Sequence, residues 1–222
     1  MTNLVSGGGF RAMIGSAGYM KAMQETGALD LIMYTASVSG SCWTLAQFYS
    51  PLADGSLDML LEHLKTHTHT HVANLNNFYA ILKASPRNSK LLMQGIIERY
   101  NEQDGEINIV DVFGTLLGGA LLTKRHVVDG GEQGAITEPN GQHIKPVILD
   151  RMKLSKQAQY FEDGSLPMPI YCVVRIDEKA HEKDVYQWFE FTPYEMGCEE
   201  ANGKRLTFSC RDGHRLREGQ NS

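Results

Sequence analysis

Three consecutive glycines, Gly7 to Gly9, lead into a helical pattern in the stretch "VSGGGFRAM". Backbone without side chains at a helix start lets another group approach its N–H donors closely. Leu4 and Val5 look like the tail of a strand behind this loop. From Arg11 to Thr26 the residues Met13, Ala17, Met20 and Met23 recur at helical spacing, with Gly27 as the expected cap. The apolar run "LDLIMYTAS" predicts a buried strand, and "SGSCWTLAQFY" predicts a second turn and helix. Strand, glycine turn, helix, strand is the opening of an α/β unit with a parallel sheet.

Further on, Met59, Leu60 and Leu64, "SKLLMQGIIERYNE" and "INIVDVFGTLLGGALL" carry the helical period. Residues 123–145 are polar and glycine-rich, which predicts a surface loop. "MPIYCVVRID" and "DVYQWFEF" have strand composition, and residues 178–184 would join them as a hairpin. Residues 201–222 show neither period and are expected to be poorly ordered. The expected division is therefore a catalytic-type domain over 1–200 and a polar tail over 201–222. No internal repeat is visible.

Composition removes several classes of function. A chain of 222 residues with 42% hydrophobic residues can bury a core, and 21 basic against 26 acidic residues give no basic surface for nucleic acid. Cys42, Cys172, Cys198 and Cys210 form no C-x-x-C pair, so neither a disulfide framework nor a zinc knuckle is expected. No secretory leader and no transmembrane segment is visible, so a cytoplasmic protein is expected.

Two chemistries compete for the glycine loop. Gly7, Gly9 and Ala12 fit the dinucleotide fingerprint G-x-G-x-x-G/A, with Asp30 at about the right distance for a ribose contact. Asp30, however, precedes the apolar strand instead of closing it. The second loop, "SVSGSCW", puts Ser39 in a tight turn between strand and helix, flanked by Ser37, Gly40 and Ser41. That is the pattern of a nucleophile elbow, with serines where G-x-S-x-G has glycines. A serine exposed at a helix N-terminus is placed to attack, and glycine amides opposite it can hold an oxyanion. The plainer alternative is that Ser39 only caps the next helix.

Together, "SGGGFRAM", "SVSGSCW" and "WFEFTPYEMG" resemble the cytosolic phospholipase A2/fungal lysophospholipase catalytic domain, as do "DVFGTLLGGALL" and "LPMPIYCVV". The resemblance covers most of Leu4 to Glu200. It implies an α/β fold: a patatin-like three-layer acyl hydrolase domain, here incomplete, with a central mixed, mainly parallel sheet. It also implies a Ser–Asp dyad acting on phospholipid or lysophospholipid substrate at a membrane or micelle surface. By the resemblance, Ser39 is the nucleophile, Gly8 and Gly9 form the oxyanion loop, and Arg11 holds the phosphate. A guanidinium suits that contact, being permanently charged and forked. No cofactor and no metal is expected, and peripheral membrane association follows from the substrate.

The acid of the dyad would lie in a D-G-[G/A]-like motif downstream of "TPYE". Asp129 in "VVDGGEQG" has the motif but precedes that block, Asp163 in "EDGSLP" has the form of a turn aspartate, and Asp212 in "RDGHR" lies in the tail. None is assigned as the catalytic acid. The alternative function is accordingly a catalytically inactive family member that keeps only lipid or partner binding. His67, His69 and His71 alternate, but they follow a helical stretch without accompanying carboxylates and are expected at a polar helix end. "WFEFTPY" has the composition of an exposed aromatic stretch that could touch lipid, but Trp188 and Phe191 are expected in the core.

Overall fold

The structure, a computed structural model, describes residues 1–68, 93, 96–97, 100–101, 105–122, 153–177, 185–199 and 205–209. The chain divides into two compact units, residues 1–60 with 148–222, and residues 61–147.

The first unit is built on a sheet of six strands in the order β1 to β6: Thr2–Val5, Tyr34–Val38, Met168–Asp177, Val185–Phe191, Glu195–Glu199 and Arg205–Ser209. Helix α1 (Gly9–Glu25) connects β1 to β2, and α2 (Gly40–Phe48) leaves the end of β2. These two parallel pairings, β1 with β2 and β2 with β3, meet the expectation of an α/β unit. The sheet is mixed, as expected, but not mainly parallel among the described residues. The other three pairings, β3–β4, β4–β5 and β5–β6, are antiparallel. Antiparallel neighbours need only a short turn, whereas parallel ones need a crossover; only the first two connections are long enough to provide one.

Side-chain parity sets what the sheet buries. Asn3, Thr35, Ser37 and Tyr171 are buried, while Leu4, Tyr34, Val174, Tyr186 and Trp188, on the opposite face by register, are exposed. The expectation that Trp188 sits in the core is thus corrected. It pairs with Val174 on the open face, is 47% exposed, and its indole N–H donates to Glu190 at 3.2 Å. Phe191, of the other parity, is partly buried.

Helix α1 buries Met13, Ser16, Ala17, Met20 and Met23, the stripe read from the spacing plus one serine. It ends at Gly27, whose φ of 72° and N–H bond to the Gln24 carbonyl give the left-handed close expected of a glycine cap. "LDLIMYTAS" is strand only from Tyr34; Leu29–Leu31 is a 3-10 turn. The tail needs a correction too. Arg205–Ser209 pairs with β5 as β6, because Leu206 and Phe208 alternate with polar neighbours at the strand period. Helix α3 (Leu57–His67) buries Leu57 and Leu60 on its first turns, and Ser56 stands at its start.

The second unit contains the remainder of α3 and helix α4 (Ile109–Leu121). Asn108 and Asp111 cap α4 reciprocally, each side chain accepting the other's backbone N–H at 3.1 Å. Within this unit the His63 ring bonds the Leu121 carbonyl and stacks on His67 at 4.0 Å. His67 is buried on α3, while His69, His71 and the polar stretch 123–145 lie outside the described residues.

Candidate active site

Ser39 ends β2 and begins α2 with φ 58° and ψ −124°. A non-glycine residue in that region costs roughly 1–3 kcal/mol, and the surrounding structure must hold it there. Ser39 makes no capping hydrogen bond, which removes the plain N-cap reading. It is exposed, while Gly40 and Ser41 behind it are buried. The turn therefore presents a hydroxyl outward from a fixed base.

The glycine loop lies directly against this turn. A Cβ on Gly7 would stand 2.9 Å from Ser39 Cβ and 3.5 Å from Ser39 Oγ. A Cβ on Gly40 would run into the Gly9 carbonyl group, 2.7 Å from its carbon. Gly8 (φ 145°) and Gly9 (φ 60°) occupy backbone regions that side chains disfavour. Gly8 caps α1, and among the described residues the Gly8 and Gly9 amides donate to no other backbone group. The starts of α1 and α2 thus meet at one place. Neither helix carries an acidic residue in its first turn, so the partial positive charge of both termini is left uncompensated. Such a place favours developing negative charge.

Buried polar contacts hold the two helices in this relation. Ser16 and Thr44 hydroxyls lie 2.5 Å apart, one donating to the other, and both face the Met13 carbonyl, at 3.0 and 2.8 Å. Gln47 donates to the Trp43 carbonyl and contacts Met13 sulfur. Ser41 Oγ accepts the Val38 N–H at 3.1 Å and faces the carbonyls of Val38 at 2.9 Å and Val5 at 3.1 Å. Ser37 and Cys42 exchange contacts beneath the turn. Burial pushes the Cys42 thiol up, against hydrogen bonds from Ser37 and nearby backbone that pull the other way. Burial likewise pushes Cys172 up to about 11, with Glu190 and Cys42 adding repulsion. Neither is poised as a nucleophile at neutral pH.

Arg11 is exposed on the first turn of α1 and forms no ion pair among the described residues. Asp163 is exposed, and its carboxylate accepts from the Ser165 N–H and hydroxyl, which lowers its pKa. That is a turn aspartate. Asp129 and Asp212 lie outside the described residues. Among the described residues Ser39 Oγ has no hydrogen-bond partner. Asp30 sits in the 3-10 turn ahead of β2, at the end of that strand opposite Ser39. A ribose-binding acid belongs at the strand's carboxyl end, beside the glycine loop, so this arrangement does not support the dinucleotide reading.

The sequence reading located both loops but missed how they interlock. Gly7 and Gly40 are the points of closest approach, and Ser41 ties them. The adjacent small residues Gly40 and Ser41 were a signal, because a crowded turn excludes anything larger.

A mixed sheet with a helix leaving a strained serine turn, apposed to a glycine loop, defines an α/β domain of elbow type. Residues 2–137 match the profile of the lysophospholipase catalytic domain. The chain belongs to that family, whose members are phospholipase and lysophospholipase hydrolases. Cytosolic phospholipase A2 delta of Mus musculus is 31% identical over 194 residues, covering 86% of this chain and 20% of that protein. Human GIVD cytosolic phospholipase A2 superimposes with a TM-score of 0.61 at 26% identity, over 89% of this chain and 22% of that one. Its complex with methyl gamma-linolenyl fluorophosphonate and terbium chloride gives 0.55 at 25% identity, over 89% and 24%. The chain spans about a fifth of the length of these relatives. Among the described residues no helix is long and apolar enough to cross a membrane.

Proposed function

We propose that the chain carries the nucleophile half of a lipolytic serine hydrolase acting on fatty-acyl esters of phospholipids or lysophospholipids. The observation that carries this reading is the contact between the strained Ser39 turn and the glycine loop, made where two helix N-termini meet. Ser39 Oγ attacks the ester carbonyl, and its proton passes through a base to the departing glycerol oxygen. The Gly8 and Gly9 amides stabilise the oxyanion, and the α2 terminus adds to the same field. Arg11, exposed one turn away, holds the substrate phosphate. Water then cleaves the acyl-serine and releases fatty acid. Substrate is met at a membrane or micelle surface, from the cytoplasmic side. No described carboxylate is hydrogen-bonded to Ser39 Oγ; Asp129, outside the described residues, is the one in a family-like D-G-G motif.

Among the described residues the Ser39 hydroxyl has no hydrogen-bond partner, which favours a second reading, in which the site binds lipid or a partner without turning over an ester. A fluorophosphonate probe separates the two, since a family relative has been captured with such a compound. Labelling that disappears in Ser39→Ala, with release of fatty acid from lysophosphatidylcholine, supports the hydrolase. Absence of both Ser39-dependent signals supports the binding protein.

A further inference from the structure

We infer that Ser41 is a positioning residue that locks the nucleophile turn to the strand carrying the oxyanion loop; this rests on the hydrolase reading above. Its hydroxyl is 1% exposed and meets three backbone groups. It accepts the Val38 N–H at 3.1 Å, and its single proton is shared between the Val38 carbonyl at 2.9 Å and the Val5 carbonyl at 3.1 Å. The bond to Val38 is a local one, of the kind a serine makes to a carbonyl one turn back. The bond to Val5 spans 36 residues of chain and reaches the last residue of β1, two before Gly7.

One side chain therefore touches the residue immediately before the nucleophile and the strand end that feeds the glycine loop. The remaining contacts between the two loops are steric, Gly7 against Ser39 and Gly40 against Gly9. Steric contact keeps the loops from moving closer; the Ser41 hydroxyl resists their moving apart, at the end of the β1–β2 ladder where Val5 pairs with Ser37. Glycine, the usual occupant of this elbow position, has the room but lacks the tie.

The test uses the full chain with Ser41→Ala, and Ser41→Thr as the variant that keeps a hydroxyl. Val38 amide hydrogen exchange and the rate of fluorophosphonate labelling are followed, with thermal unfolding to check that each variant folds. Ser41→Ala is expected to raise Val38 exchange about tenfold and to slow the maximal labelling rate about tenfold at unchanged probe affinity, in line with one lost buried hydrogen bond. Ser41→Thr, which keeps the hydroxyl but adds a methyl, is expected to recover part of both. Exchange at Val38 unchanged in Ser41→Ala overturns the inference, whatever the labelling shows. Faster exchange with an undiminished labelling rate overturns the positioning role and leaves a merely structural serine. Faster exchange in a chain whose wild type never labels supports the tie and contradicts the hydrolase reading instead. Should Ser41→Ala fail to fold, Ser41→Gly carries the same measurements.

Discussion

The Gly9 carbonyl occupies the space in which a side chain on Gly40 would begin. Two loops 31 residues apart are joined there without a side chain between them, so the site's geometry depends on what Gly40 lacks. Gly40→Ala must push Gly9 or the start of α2 aside. Overpacking of this kind costs about 1–3 kcal/mol, and backbone on the receiving side cannot rotate away. The expected result is a lower unfolding midpoint together with loss of fluorophosphonate labelling. An unchanged midpoint would mean the loops stand farther apart than described.

Gly7→Ala tests the other contact. Its Cβ would meet Ser39 Cβ at 2.9 Å, a clash that forces Ser39 or the glycine loop to shift. Gly7 lies on an exposed loop and needs no positive φ, but the clash makes a loss of about 1–3 kcal/mol the expected cost. Labelling should slow by at least about tenfold, because a small misplacement of a nucleophile has a large effect on rate. Comparison of melting curves and labelling rates checks both halves.

Strain at Ser39 predicts a trade between stability and function. Ser39→Gly removes the penalty of φ 58° and is expected to stabilise the fold by about 1 kcal/mol while abolishing labelling. Chemical denaturation of wild type and variant measures the first effect.

Arg11 projects from the first turn of α1 into solvent. Arg11→Ala should leave stability within about 0.5 kcal/mol. It should raise KM for lysophosphatidylcholine and leave turnover of an uncharged short-chain ester unchanged. Equal losses on both substrates would remove the phosphate role.

Cys172 gives a pH signature. Burial raises its folded pKa to about 11 from the ordinary thiol value of 9.0, so the folded state holds its proton more tightly than the unfolded chain. Stability from this source is full below about pH 9 and declines as pH rises from 9 through 11. Cys42, also raised by burial, adds to the decline. Unfolding free energy measured across that range should slope downward, and less steeply in Cys172→Ala.

The α1 stripe, the glycine cap at Gly27, the start of α2 and the β3 and β4 strands were legible because period and cap residues are local signals. Ser39 was legible for the same reason, since a strand, a small-residue turn and a helix follow one another in sequence. The contacts of Gly7 with Ser39 and Gly40 with Gly9 were not, because they depend on how β1 and β2 align in the sheet. Trp188 was misplaced because one step of register decides which sheet face a strand residue takes. β6 was missed because Leu206 and Phe208 give only two apolar residues of alternation, and its partner β5 supplies the rest.

Ser39, as a nucleophile served by the glycine loop, should be the residue that a covalent probe modifies. Mass-spectrometric mapping of the fluorophosphonate adduct on the intact 222-residue chain tests this most directly. The expected result is a single phosphonylated peptide containing Ser39, absent in Ser39→Ala and reduced in Gly7→Ala. An adduct on another residue, or none on a correctly folded chain, would contradict it.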